Sequence, residues 1–507
     1  MAAPRLAPID CVRALVTLST VFYSATLVAT AFMPASGSLW RRLSNSVAFH
    51  VLRGGTLQGP LFLLLSGFLL GNTLVNVLKP VTGGQAVTAA TSVLARRALR
   101  LLTLCLLPLA LGLLPGGDCT ALSRRQLLLH GLTLSLNTLD IRNTLGVTLP
   151  FVLHACIDFQ CGVLITVALV FLRALIPSFD AWTELSPAVV AFFAASSIVA
   201  RTATFQAKVA SLSRAAERPH IGFLVTSACG EWAERMMPSF KWRLHVDGRR
   251  RGISAASMTT FGELQHDTWN TFVSSPTASM APMALGVLLA LLLNKQRVNH
   301  QAHLATLQSL REAVAAKKAA QSSGSEAAIA TAKAQAQALE VAIAELEAGQ
   351  EPRASHILVR WFWTAQAVFT LGVTCLPLGT WTESPQEWLV SAAFPTLAAA
   401  AMALLLFTAM CLQHSRWHSP ALAAAMSSRL WRPLAMASPA MLALHFPATV
   451  ALAVGTTRVR PLLPKDISLP AIAALAVSSA GLAALASLPL HLLLRRSVRA
   501  QKQLKTD

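Results

Sequence analysis

The sequence predicts an all-α fold, a polytopic membrane bundle of about ten spans with one inserted extramembrane helical hairpin. The chain is 54% apolar and only 13% charged, about half the charged fraction of an ordinary soluble domain. Its apolar residues form long continuous runs, and one late polar segment has a helical repeat. Within hydrocarbon each span must satisfy its own backbone, which leaves helices or closed barrels. Long runs, rather than short alternating strands, favour helices.

Ten segments are expected to cross the membrane, because most of them reach the roughly 20 residues that the hydrocarbon layer requires. They are 12–32, 57–78, 98–115, 149–174, 185–203, 279–294, 357–379, 387–412, 430–456 and 468–494. The sixth is short, and Leu127–Leu136 is a candidate re-entrant or interfacial piece. The residues before the first span are too few for a cleavable signal peptide, so targeting is expected to use the first span or internal signals.

A polar insertion divides the chain into membrane parts at 1–294 and 354–507, the first of which includes a polar loop at 204–275. In the insertion, 295–353, apolar residues follow a 3,4,3,4,3 spacing after the turn at Ser322-Ser-Gly-Ser325. The spacing predicts an antiparallel, coiled-coil-like hairpin with a narrow apolar seam. Two interpretations stay open: a docking arm for other membrane protein subunits, or a self-packed insertion without a partner.

The formal net charge of +20 predicts contact with anionic lipid headgroups. Basic residues such as Arg249-Arg250-Arg251 and Arg495-Arg496 lie between or beside apolar runs, where they meet lipid phosphates. Nucleic acid is therefore not an expected partner. The hairpin, the basic C-terminal tail and the loop at Arg96-Arg97 are expected on one side, the cytosol or the mitochondrial matrix. An organellar inner membrane, the endoplasmic reticulum and the plasma membrane stay open as compartments.

The eight cysteines predict neither a metal site nor a firm disulfide framework. Six lie in or beside apolar spans, where cysteine behaves as a small hydrophobe. Cys119 and Cys229 lie in loops, and a disulfide between them stays open. No CxxC pair occurs in the sequence.

Charged and polar residues inside apolar spans are the candidate functional residues, because they are costly there and often mark interior sites. The set comprises Arg13, Arg97, Arg100, His154, Asp158, Gln160 and His445. His154 and Asp158 are one turn apart, which places both on one helix face. Each residue has an alternative interpretation as a snorkelling or paired structural group. Together they are expected to line one interior polar pocket.

Six motifs follow one another in register along the membrane parts. They are Ile9-Asp-Cys-Val-Arg13-Ala-Leu, Leu61-Phe-Leu-Leu-Leu-Ser66-Gly67-Phe68-Leu-Leu70, Arg97-Ala-Leu-Arg100, His154-Ala-Cys-Ile-Asp158-Phe-Gln160, Pro276-Thr-Ala-Ser279-Met-Ala-Pro282-Met-Ala-Leu-Gly286, and Trp431-Arg-Pro433-Leu434 followed by His445-Phe-Pro447. In order and spacing they resemble the acyltransferase-3 family, especially its eukaryotic nose-resistant-to-fluoxetine branch. The resemblance covers nearly the whole chain apart from the hairpin.

The resemblance implies transfer of acyl groups onto hydroxyls of sugars, lipids or peptidoglycan. It also implies arginines that hold the phosphates of an acyl donor such as acyl-CoA, a role that suits guanidinium groups. A histidine is expected eleven residues after Arg13, but this chain has Ser24 there. Further departures from the family pattern are Leu153 for Trp, Ser279 for Arg and Ser487 for Glu.

Two functions are consistent with this pattern. In the first, the fold is retained while the chemistry is lost, and the chain is a non-catalytic structural or lipid-binding subunit of a membrane complex, a pseudoenzyme. In the second, it is an active membrane O-acyltransferase that takes acyl groups from acyl-CoA, with His445 and Asp158 as its catalytic residues. In that case Ser24 becomes a nucleophile only if a base such as His154 or His445 activates it.

The substrate-binding residues that the resemblance implies are Arg13, Ser66, Arg97, Arg100 and Gln160. Acyl-CoA is the donor for the enzyme alternative, and no cofactor or metal is expected otherwise. A transporter is a third class, with Asp158 and Arg97 in an ion path. Many transporters are built from internal repeats, and one half of this chain is not repeated in the other.

Overall fold

The described part of the chain is helical. The computed structural model describes residues 7–32, 58–113, 124–138, 149–215, 276–323, 385–411, 418–459 and 472–485, with isolated positions between 330 and 364. Within these residues 92% are in helices and none is in a strand. The all-α prediction is therefore confirmed for the described part of the chain.

The helices of these residues are numbered in chain order. They are α1 (Ala7–Phe32), α2 (Gln58–Leu78), α3 (Gly84–Leu113), α4 (Arg124–Leu132), α5 (Leu149–Leu175), α6 (Phe179–Ala215), α7 (Pro276–Ser323), α8 (Pro385–Met410), α9 (Pro420–Met426), α10 (Trp431–Val459) and α11 (Ile472–Leu485). A short 3-10 turn at Leu136–Thr138 follows α4. The segment predicted to be re-entrant or interfacial coincides with α4 and this turn.

Four of the described helices are long and apolar enough to cross a membrane, which agrees with a membrane protein. These spans are Gly59–Leu78, Phe151–Leu175, Phe179–Ala200 and Ser279–Val298. Two shorter apolar helices are Thr396–Met410 and Ile472–Leu485. The span predicted at 357–379 lies almost wholly outside the described residues, and the number of ten spans stays a prediction.

Helices α3 and α6 extend well beyond their predicted bounds. Helix α3 begins at Gly84 rather than near residue 98, so Arg97 lies inside the helix and not in a loop. The first half of α3 is amphipathic, burying Ala86 and Ala90 while Ser92 is exposed, and a continuous apolar run does not reveal such a helix. Helix α6 continues to Ala215, so the start of the predicted polar loop is helical.

Helix α7 joins the sixth predicted span to the first arm of the predicted hairpin without a break. At 48 residues it is about 72 Å long, since each residue adds 1.5 Å. The apolar span within it ends at Val298, so about 25 residues of helix continue past that span. The second arm and the apolar seam lie mostly outside the described residues.

Helices α2 and α7 approach each other closely through glycine. A Cβ atom added at Gly67 would overlap the Met283 carbonyl oxygen, and one at Gly286 would lie 2.7 Å from the Phe68 nitrogen. Gly71 similarly faces the Val287 Cα. Small residues four positions apart let the backbones of membrane helices approach closely. Van der Waals contact then stabilises the helix pair, because the hydrophobic effect does not act between helices within lipid.

Helices α1 and α10 run parallel with a constant offset in their contacts. Thr17 bonds Ser438 at 2.5 Å, and Ser24 bonds His445 at 3.0 Å. Each pair is separated by 421 positions, and the pairs are one heptad apart on both helices. Two helices that meet every seven residues keep one seam in contact, and here hydroxyl groups occupy that seam.

Arg173 and Trp182 fix the corner between α5 and α6. The Arg173 guanidinium donates 2.7 Å bonds to the carbonyls of Ile176 and Pro177 and a 3.4 Å bond to that of Leu78. The Trp182 indole donates to Leu169 at 3.0 Å. Both side chains are almost fully buried. One cation therefore satisfies carbonyls at the C-terminal ends of α2 and α5, where helices lack internal partners.

Candidate functional site

Arg97, Ser66 and Asp158 form one buried polar cluster between α3, α2 and α5. Arg97 Nη2 lies 2.9 Å from an Asp158 carboxylate oxygen and 2.6 Å from the Ser66 hydroxyl. Arg97 Nη1 donates to the Ser66 carbonyl at 3.4 Å. The side chains of the ion pair are 13% and 9% exposed. The guanidinium is therefore occupied by groups of the protein itself.

The cluster lies within the apolar length of the bundle. Ser66 is seven residues after Gly59 and Asp158 is seven residues after Phe151, where the two spans begin. Seven residues of helix correspond to about 10 Å. Ions at that depth are stable only when they are paired and hydrogen-bonded, and both conditions hold here.

Gly162 makes room for the guanidinium. A Cβ at this position would lie 3.2 Å from Arg97 Nε. Arg97 Nε is itself a buried donor without a hydrogen-bond partner in the described part of the chain. The sequence analysis did not single out Gly162, and a glycine one turn after Asp158 is its only sequence signal.

Arg13 and Arg100 form a second, more exposed group of charges. Arg13 on α1 is partly buried, and both Asp10 and Arg100 lie near enough for their charges to act on it. Arg100 on α3 is exposed. The structure thus places the motif that contains Arg13 near the motif Arg97-Ala-Leu-Arg100. Of the two arginines in the latter motif, Arg100 lies at the surface.

Gln160 is paired with an amide that the sequence analysis missed. Gln160 and Asn137 exchange two side-chain bonds of 2.8 and 2.9 Å. Gln160 also donates to the Leu134 carbonyl at 3.0 Å, and Leu134 has a left-handed φ of 52°. Gln160 therefore holds the segment after α4 against α5. Asn137 lies in a polar turn that has no distinctive motif, so no sequence signal indicated it.

His445 lies beside Ser24 in the seam between α1 and α10. Its Nε2 is 3.0 Å from the Ser24 hydroxyl, and its Nδ1 is 2.8 Å from the Leu442 carbonyl. A carbonyl only accepts, so Nδ1 carries the proton, and in the neutral ring Nε2 accepts from Ser24. Ser24 is 4% exposed. The Leu442 carbonyl therefore orients the imidazole so that Nε2 faces the Ser24 hydroxyl.

His154 lies one turn before Asp158, close enough for the carboxylate charge to act on it. Its ring meets Phe62 edge to face at 6.4 Å. Its Nε2 is buried and has no hydrogen-bond partner in the described residues. His154 is thus beside the ion-pair cluster, while His445 contacts Ser24.

The predicted site residues fall into several helix-to-helix contacts. Arg97, Ser66 and Asp158 are together, Arg13 is near Arg100, and His445 is with Ser24. The prediction that all of them line one pocket stays a prediction. Among the described residues, no three His, Cys, Asp or Glu side chains are grouped to hold a metal ion.

Cys11, Cys105, Cys156 and Cys161 are buried and free, and Cys411 is buried. Cys119, Cys229 and Cys375 lie outside the described residues.

Comparisons with protein-family models, curated proteins and solved structures return no match to this chain.

Proposed function

We propose that the chain is a non-catalytic structural and lipid-binding subunit of a membrane protein complex, with an acyltransferase-3-like bundle of about ten spans. The observation that carries the proposal is that Arg97 forms its hydrogen bonds and its ion pair with other residues of the protein. A guanidinium that holds the phosphates of an acyl donor needs its donors directed to that ligand. Here the two Nη atoms of Arg97 are directed to Ser66 and Asp158, which makes the cluster a tie between three helices.

The other amide and hydroxyl contacts support the same role. Gln160 bonds Asn137 and Leu134, and Thr17 bonds Ser438. Within a membrane bundle, such bonds between helices typically contribute about 0.6 kcal/mol each and set which faces meet. Three of the residues that the resemblance assigns to substrate binding, Ser66, Arg97 and Gln160, are thus bonded to groups of the protein itself.

The long helix α7 supports docking to a partner. Its continuous backbone links the apolar span at Ser279–Val298 to the helix that ends at Ser323. A partner bound to the arm would therefore be held at a fixed direction from the bundle. The partner class is another membrane protein subunit, as the hairpin prediction proposes.

The test is purification of the tagged full chain from its native membranes. We expect a complex of fixed stoichiometry, and we expect deletion of 296–352 to release the chain from it while the helical content of the bundle is retained. A deletion variant that still co-purifies in the same complex would refute the docking role. A wild-type chain that purifies alone would refute the subunit role.

A second candidate function, O-acyl transfer, is favoured by the contact between Ser24 and His445. In this reaction His445 Nε2 takes the Ser24 proton as the hydroxyl oxygen attacks the carbonyl carbon of an acyl thioester. The C–S bond breaks, the thiolate leaves, and the imidazolium returns the proton to it. The acyl group then passes from Ser24 to a hydroxyl of a lipid or sugar. Base assistance of this kind is worth about 10²–10⁴ in rate.

This candidate is tested with the full chain and an alkyne-tagged long-chain acyl-CoA. Acyl transfer through this pair requires a covalent label on Ser24, which mass spectrometry locates. The label should be lost in Ser24→Ala and in His445→Ala. Thr17→Ala is the matched control, because Thr17 is a buried hydroxyl one heptad earlier on the same seam, and it should keep the label. An unlabelled wild type excludes acyl transfer through Ser24 and favours the subunit role.

A further inference from the structure

The outward face of α3 changes from polar to apolar along its length. Gln85, Thr88, Ser92 and Arg96 are exposed in the first half of the helix, and the large apolar side chain exposed among them is Val87. Further along, Leu99 and Leu106 are 61% and 51% exposed, and Ala110 is also exposed. The change falls between Arg96 and Leu99.

The ion pair between Arg97 and Asp158 serves as a reference level for the depth at which the α3 surface changes from polar to apolar. Arg97 is level with Asp158, because the two side chains are in contact. Ser92 on α3 is five residues from the level of the ion pair, toward the end of the bundle where α2 joins α3. Leu164 is six residues away on α5, which runs in the opposite direction, and is 43% exposed.

One side of the bundle is therefore polar at a depth where another side is apolar. Further along the same direction α5 exposes Val167 and Phe171, by 59% and 65%, while α3 exposes Thr88. Lipid tails suit the α5 surface but do not solvate the exposed Gln85 amide or the Arg96 guanidinium on α3. The hydroxyls of Thr88 and Ser92 donate to carbonyls of their own helix, so the amide and the cation are the groups that favour a polar occupant of the α3 surface.

The arginines on the outward face of α3 favour an anionic ligand. Arg96 and Arg100 are both exposed and four residues apart, which places their side chains as neighbours on one helix face. Arg96 donates to the carbonyl and hydroxyl of Ser92 at 3.1 and 3.3 Å, which holds the guanidinium along the helix. Arg13, on which the charge of Asp10 also acts, lies near enough to Arg100 for their two charges to act on each other. Clustered guanidinium groups match the geometry of phosphate.

We propose that the outward face of α3 binds an anionic phospholipid, with its phosphate between Arg96 and Arg100 and an acyl chain along Leu99 and Leu106. The proposal rests on the lipid-binding part of the proposed function and names its ligand and site. The sequence of polar, cationic and apolar side chains along one face matches the order of headgroup, phosphate and tail in a phospholipid.

The experiment titrates the purified full chain in micelles with dioleoylphosphatidylglycerol and measures bound lipid by native mass spectrometry. We expect the double variant R96Q/R100Q to bind about 30-fold more weakly, the equivalent of about 2 kcal/mol for two cations near a lipid phosphate. The matched control is R429Q/R432Q, which removes two exposed arginines, one just before α10 and one in its first turn, and should bind as the wild type does.

Two further ligands identify the source of the phosphate. Dioleoylglycerol, which has the tails without the phosphate, should bind the wild type and R96Q/R100Q equally weakly. Inorganic phosphate at millimolar concentration should not displace the phospholipid. Displacement by inorganic phosphate, or equal loss in both double variants, would overturn the proposal. A lipid site can fail in this way while the chain still co-purifies in a complex, so its failure differs from failure of the subunit role.

Discussion

The contact between α2 and α7 leads to a graded prediction for two glycine-to-alanine substitutions, with a third glycine outside the contact as the control. In Gly286→Ala, the new Cβ would lie 2.9 Å from the Leu64 carbonyl carbon and 2.7 Å from the Phe68 nitrogen. Both are backbone atoms of the facing helix, so relief requires the two helices to separate. Overpacking a tight core costs about 1–3 kcal/mol, and we expect the upper end, about 3 kcal/mol.

Gly71→Ala should cost less. Its Cβ would lie 3.0 Å from the Ala290 Cβ and from the Val287 Cα, a contact that a small shift relieves. We expect a loss of about 1 kcal/mol. Gly481→Ala is the control, because a Cβ there would meet no atom within 4 Å. In a helix interior this change should be neutral or should stabilise by about 0.5–1 kcal/mol.

The assay is unfolding of the purified chain in mixed micelles with increasing dodecyl sulfate, followed by tryptophan fluorescence. We expect Gly481→Ala to be the most stable of the three variants, Gly71→Ala to be less stable and Gly286→Ala to be the least stable. If Gly286→Ala unfolds within about 0.5 kcal/mol of the wild type, the close backbone approach of α2 and α7 is wrong. If Gly481→Ala is as damaging as Gly286→Ala, the loss is unrelated to this interface.

Two further predictions concern buried cations. Asp158→Leu should destabilise the bundle by about 3–5 kcal/mol, because it leaves Arg97 buried without its counter-charge, and the pair Arg97→Met with Asp158→Leu should recover most of that loss. Unfolding in micelles measures both, and a double variant no more stable than the single one would argue against a structural tie. Arg173→Met should cost about 3 kcal/mol, since it leaves buried carbonyls at two helix ends without a donor. The exposed Arg429→Met should stay within about 0.5 kcal/mol of the wild type, and equal losses in the two variants would contradict the capping role of Arg173.

The sequence predicted the helical class and the positions of the four described helices that are long and apolar enough to cross a membrane, because hydrophobicity and run length are local properties. The boundaries of α2 and α5 lie within about a residue of the predicted ones. The sequence-based prediction was wrong at the start of α3, where an amphipathic helix begins 14 residues earlier than the apolar run. Burial of one face there depends on the neighbouring helices, which a linear pattern does not contain.

The candidate residues were chosen by a local rule, that ions inside apolar spans have partners, but the rule does not name the partners. It selected Arg97 and Asp158, which are 61 positions apart, and only the fold puts them in contact. Gln160 was selected too, while its partner Asn137 was missed. Arg173, near the end of a span, was also missed, although it satisfies carbonyls of two helices.

Composition and hydrophobic patterning alone determined that the described chain is helical and suited to a membrane, because each span must satisfy its own backbone wherever water is absent. Tertiary structure alone decided which polar groups meet: Ser24 with His445, Arg97 with Asp158, and glycine on α2 with the backbone of α7. These contacts depend on the offset and direction of helices that lie far apart in the chain. Packing of whole surfaces sets that geometry, and no short segment encodes it.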